Sequence, residues 1–213
     1  MRPLCITRQL NRVRLHVALG SFITALAFAF SSIAMADALP GTLLPSLGNA
    51  HVESVDSPHV PYNSNPPTSG PHLKYVARWD IHSQPIPREL QVHNLEDGGV
   101  LIQYNCPKPC PELVTQLENI FKTYRQKANE EIPEHVRQKN PYLRSRYHHL
   151  VLAPYPDMAA KIALTAWQRI DKLDKYDEQR IISFIEAYVG IDHHPPRKFP
   201  KPQLPEGFTL PPP

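Results

Sequence analysis

Between Leu90 and Leu113 the run L-Q-V-H-N-L-E-D-G-G-V-L-I-Q-Y-N-C-P-K-P-C-P-E-L gathers His93, Glu96, Asp97, Cys106 and Cys110. Imidazole, carboxylate and thiolate are the side chains that bind transition metals or move protons. Leu90, His93, Asn94 and Asp97 are spaced i, i+3, i+4, i+7, so they share one face of a helix over about residues 87–97. A core-facing stripe would be apolar; this one is polar, which leaves a ligand or solvent as what it meets. The two cysteines admit three readings. One is a structural disulfide, as oxidising compartments favour. Closing so short a loop stabilises by about 2 kcal/mol or less on chain-entropy grounds. Another is a soft metal site, suited to Cu(I) first and zinc second. The third is a redox-active dithiol at a helix N-terminus, where the dipole lowers thiol pKa.

The elements that position these groups follow from the neighbouring residues. Gly98-Gly99 ends the first helix, because glycine takes the positive φ that closes one. Val100 to Tyr104 is a short apolar, β-prone run and predicts a buried strand. Pro111 opens a helix, whose apolar face is Leu113, Val114, Leu117, Ile120, Phe121 and Tyr124. The cysteines therefore lie at the carboxyl end of a strand, where ligands gather in α/β sheets. Upstream, Pro61 to His72 holds four prolines and one glycine. That composition forbids a helix and makes the stretch a linker or the wall of a site, presenting His72 from a stiff backbone. Further strands are expected at Leu150–Ala153 and Lys161–Trp167, and a last helix from an Asp177 cap to Gly190. Residues 126–146, interrupted by Pro133 and Pro141, are expected to form a peripheral charged insertion. The order strand, helix, strand, strand, helix predicts an α/β (or α+β) fold, a small sheet with packed helices, an order close to the second half of a thioredoxin-like fold.

The N-terminus has the form of a secretory signal: Arg2, Arg8, Arg12 and Arg14, an apolar stretch over Val17–Ile33, and Ala34-Met35-Ala36 for cleavage. An uncleaved membrane anchor is the alternative, since the stretch approaches spanning length. Removing residues 1–36 takes away four arginines and no acid, so the formal charge of +3 becomes −1. Nothing then argues for nucleic acid as a partner. Residues 37–60 are expected to be an extended arm and 61–191 a single globular domain. Residues 192–213 are expected to be a disordered tail, because eight of the nineteen residues from Pro195 to Pro213 are proline. His82, His135, His193 and His194 read as surface residues. No Ser-His-Asp spacing, phosphate loop or dinucleotide fingerprint is present.

Several of these motifs, in order, resemble those of the domain-of-unknown-function family 3105. They are Tyr62-Asn63-x-x-Pro66-Pro67-Thr68-Ser69-Gly70-Pro71-His72, Val92-His93-Asn94-Leu95-Glu96-x-Gly98-Gly99-Val100, Ala153-Pro154-Tyr155-Pro156 and Ala163-Leu164-Thr165-Ala166-Trp167. The resemblance implies an exported or membrane-anchored bacterial protein. The family motif reads H-N-L-E-H-G, and here Asp97 replaces the second histidine, which leaves one nitrogen ligand fewer. Cys106-Pro107-Lys108-Pro109-Cys110-Pro111-Glu112 is similar to the C-P-x-x-C-P-E motif of Sco-type copper chaperones. That likeness implies copper and a distant histidine ligand, for which His148 and His149 are the candidates. The residues together lead us to expect a periplasmic or secreted metal-binding protein that handles copper through Cys106, Cys110, His72, His93, Glu96 and Asp97. Its partner would be an envelope protein or the ion itself, with membrane contact only through an uncleaved N-terminal segment. The alternatives are a thiol–disulfide or metal-dependent envelope enzyme, or a non-catalytic module with a structural disulfide.

Overall fold

Strand β4 (Val100–Tyr104) is the axis of the molecule. It pairs in parallel with β5 (Leu150–Pro154) on one side and antiparallel with β6 (Ile162–Ala166) on the other. The computed structural model describes residues 38–140 and 143–195. The expected signal segment and most of the proline-rich tail lie outside them. Beyond β6 come β7 (Arg169–Leu173) and the two-residue β1 (Thr42–Leu43), giving the order β1-β7-β6-β4-β5. A separate parallel pair joins β2 (His51–Val52) to β3 (His72–Leu73).

The pleat sends alternate residues of β4 to opposite faces. Val100 and Ile102 join Leu117, Phe121, Phe184 and Ile185 in the main core. These come from α2 (Pro111–Glu131) and α4 (Glu178–Tyr188). Leu101 joins Val92 and Leu95 of α1 (Arg88–Glu96), together with Val151 and Trp167. The sheet is therefore covered on both faces, which is why β4, β5 and β6 are apolar almost throughout. Of the α2 stripe, Leu113, Leu117, Ile120, Phe121 and Tyr124 are buried as their spacing predicts, and Val114 is half-buried at its edge. Asp177 Oδ1 caps α4 by accepting from Arg180 N–H at 3.0 Å.

The expected α/β class, with a small sheet and packed helices, is the class observed. The thioredoxin-like expectation rests on the order β4, α2, β5, β6, α4, and β7 is an additional strand within it. β7 escapes sequence reading because R-I-D-K-L carries charge at three of five positions. It forms because the Trp167–Gln168 turn, with Gln168 at φ 60°, folds it back on β6. Asp171 is then buried and held by Arg180 at 2.7 and 2.5 Å. The 126–146 region is less separate than expected. α2 runs on to Glu131, and a short α3 (Glu134–Lys139) follows. Among the described residues no helix is long and apolar enough to cross a membrane.

Candidate metal centre

The parallel register of β2 and β3 sets His51 beside His72 and Val52 beside Leu73. In a parallel ladder, paired residues project to the same side, so the two imidazoles meet, with ring centroids 5.0 Å apart. The register is fixed by the proline-rich loop. Residues 66–72 are buried, Gly70 N–H donates to Gly48 O, and His72 N–H donates to Ala50 O, each at 2.9 Å. Tyr62 Oη closes the loop on Pro71 O at 2.5 Å. The stretch is thus the wall of a site.

α1 brings the third imidazole. Its polar stripe turns inward at His93 and Asn94, with Gln91 and Glu96 buried beside them, while Asp97 at its end is half-buried. Asn94 Oδ1 accepts from Ala77 N–H at 2.8 Å and its Nδ2 donates to Ala77 O at 2.9 Å. This two-point clamp sets the helix against the chain leaving β3. Gln91 donates to Ile86 O and accepts from Gln103 of β4 at 2.8 Å, which fastens the helix to the sheet. His93 then lies 5.0 Å from His72 and 5.5 Å from His51, ring to ring. Each of the three rings offers a nitrogen within 4.8 Å of the others.

The tautomers can be read from the backbone. His72 Nδ1 lies 2.8 Å from Gly70 O, and His93 Nδ1 lies 2.6 Å from Leu73 O. A carbonyl only accepts, so both Nδ1 atoms carry a proton, and in the neutral rings both Nε2 atoms present lone pairs. Metal-ligating histidines have this arrangement. His72 Nε2 is fully buried, has no hydrogen-bond partner, and faces Glu96 Oε2 at 3.0 Å. Glu96 is 1% exposed and accepts from Asn49 Nδ2 at 2.6 Å on its other oxygen. A lone pair facing a buried carboxylate is repulsive, and burying that charge costs several kcal/mol, which the Asn49 hydrogen bond offsets only in part. A cation between the two removes both penalties. A proton on His72 would do the same, but burial holds its pKa below the usual 6.5, against the pull of Glu96. The position is also the C-terminal end of α1, where the helix dipole favours positive charge.

A second ligand group abuts the first. Gly98 and Gly190 both have positive φ and touch: Gly190 N–H donates to Gly98 O at 2.7 Å, and a Cβ on Gly98 would stand 2.9 Å from Gly190 C. That contact leads the chain after α4 across the end of α1, where His193 N–H donates to Glu96 O at 2.9 Å. His194 Nε2 reaches 3.3 Å from Glu96 Oε2 and its Nδ1 3.5 Å from Asp97 Oδ1. His93, Asp97 and His194 form a second set of donors within 4.8 Å. Of the two histidines read as surface residues, His193 is exposed, its ring stacked on Trp167 at 6.0 Å, whereas the reading of His194 is corrected: it is half-buried and belongs to the site.

The cysteines lie elsewhere. Cys106 and Cys110 follow the Tyr104 end of β4 and are joined in a disulfide, with Cα atoms 5.9 Å apart. The histidines gather at the opposite, Val100 end, so the molecule has two centres rather than one. With the sulfurs bonded to each other, thiolate ligation belongs to the reduced chain alone. His148 and His149 also sit at the Val100 end, since Val100 N–H donates to His149 O. Neither is placed to complete a copper site with the disulfide.

His51 and His194 are the members that sequence reasoning left out of the ligand set. A signal for His51 existed in the paired dipeptides His51-Val52 and His72-Leu73, each a histidine followed by an apolar β-branched or γ-branched residue. His194 had no local signal, because a long-range glycine contact delivers it.

Residues 53–203 match the family model described as protein of unknown function DUF3105. The chain belongs to that family. No curated protein and no solved structure matches it. In this DUF3105 protein the matched span contains His72, His93, Glu96, Asp97 and His194. His51 stands two residues before it.

Proposed function

We propose that this DUF3105 protein is an exported metal-binding protein whose centre is His51, His72 and His93 with the Glu96 carboxylate, acting in the handling of a first-row transition metal. The observation that carries the reading is the orphaned His72 Nε2, 3.0 Å from a buried carboxylate and surrounded by imidazoles. Three neutral imidazoles and one carboxylate are a borderline donor set that suits Cu(II) and Zn(II). The Irving–Williams order puts Cu(II) ahead. The disulfide removes the soft thiolates that would select Cu(I), and it supports an oxidising, extracytoplasmic location. Exposed His51 stands at the mouth of the site, where an ion could be received or released. Glu96 stands in ligand position beside His72, which favours holding an ion over using the carboxylate as a general base.

The test is competition between the protein and a chromophoric chelator for Cu(II) and Zn(II), with metal content measured after gel filtration. One equivalent should be retained, and His72→Ala should abolish retention. Equal retention by that variant would remove the histidine centre from consideration.

A further inference from the structure

Away from the histidine centre, Arg78, Trp79, Arg125, Arg137, Arg144 and His148 line a cavity of about 530 Å³. Four guanidinium groups border it and Glu134 is the one carboxylate in its lining. Glu134 already pairs with Arg137 Nη2. His148 is buried between two of the cations: Arg125 Nη1 lies 2.6 Å from its Nδ1, and Arg137 Nη1 lies 2.6 Å from its Nε2. A neutral imidazole has one lone pair. Only one of these contacts is therefore a hydrogen bond, and the other sets N–H against N–H. Protonating the ring would worsen matters, and burial, then Arg125 and Arg137, push its pKa down to about 4. Donors in the cavity outnumber acceptors, and like charges held close together repel. Anionic oxygen is what would balance it.

We propose that this cavity binds a small multivalent oxyanion, either free phosphate or a molecule bearing several carboxylates, gripped by Arg78, Arg137 and Arg144 against the ring of Trp79. Planar guanidinium forks match oxyanions two oxygens at a time. Trp79 and Arg125 also line an adjoining cavity of about 820 Å³, which gives room for the remainder of a larger acid. The site is independent of the metal centre, and its proof or failure leaves that reading untouched.

The experiment is calorimetric titration of metal-stripped protein with inorganic phosphate and with citrate, in low-salt buffer. Saturable one-site binding of at least one anion is expected. Arg137→Gln and Arg144→Gln should each weaken it by about tenfold. Lys175→Gln, which removes the same charge from an exposed position after β7, should leave it unchanged. Stronger phosphate binding would identify the tetrahedral anion, and stronger citrate binding a polycarboxylate. Arg144 is exposed, so its variant keeps the test decisive if Arg137→Gln folds poorly. Failure of both anions to saturate would overturn the proposal. So would arginine variants that lose no more affinity than Lys175→Gln.

Discussion

At the Val100 end of β4, two fully or nearly buried histidines and a buried glutamate meet with no hydrogen bond between the lone pair of His72 and the carboxylate it faces. At the Tyr104 end, two half-buried cysteines are bonded to each other among exposed residues of a proline-rich turn. The cysteines are the rarer residues and the more conspicuous motif, yet their chemistry is satisfied within the pair. The histidines are common residues whose placement leaves a polar atom unpaired at high cost. A functional centre is better located by that unresolved conflict between polarity and burial than by residue rarity.

The comparison breaks most sharply at His93. His93→Ala removes the ring shared by both donor groups and should lower metal affinity about 100-fold or more, measured by chelator competition. Glu96→Gln should lower affinity by about tenfold or more. It should also raise the stability of the metal-free protein by about 1 kcal/mol, since an amide N–H can donate to His72 Nε2 where the carboxylate could not. Opposite signs in titration and urea denaturation are the expected outcome; a loss in both would mean that Glu96 is structural. Asn94→Ala should cost about 2 kcal/mol by leaving both Ala77 backbone groups unpaired, and should weaken metal binding by releasing the helix from β3.

A pH series sharpens the contrast further. Burial holds His72, His148 and His149 below the usual 6.5, with His148 at about 4. The unfolded chain therefore binds more protons than the folded one as pH falls. Stability should be fully present above about pH 6.5 and decline between there and about pH 4. Thermal denaturation across that range checks it, and His148→Gln should flatten the lower part of the slope. The smallest effect belongs to the other end of β4. The Cys106→Ser and Cys110→Ser double variant should lose about 2 kcal/mol or less, given the short loop, and keep its metal affinity.

Much of the scaffold was legible in the sequence. The α2 stripe, the Asp177 cap, the β4 run and the Gly98-Gly99 break depend on local spacing, and local spacing is what a sequence displays. β7 was not, since its buried Asp171 becomes tolerable only when Arg180, nine residues on, folds back to pair with it. The site divides in the same way. The polar stripe of α1 named His93 and Asp97, with Glu96 as the carboxylate beside them, and the stiff Pro71 backbone named His72. His51 enters through a two-residue strand pairing and His194 through the Gly98–Gly190 contact, both of which join residues far apart in the chain. The arginine-lined cavity gathers Arg78, Arg125, Arg137 and Arg144 from four separate segments, and no spacing rule connects them.

The most direct measurement is X-ray absorption at the zinc edge on oxidised protein loaded with one equivalent of Zn(II), an ion that does no redox chemistry with the disulfide. The histidine centre predicts a first shell of nitrogen and oxygen at about 2.0–2.1 Å with the outer-shell signature of three imidazoles, lost in His93→Ala. A sulfur shell at about 2.3 Å, or a spectrum unchanged by that substitution, would contradict it.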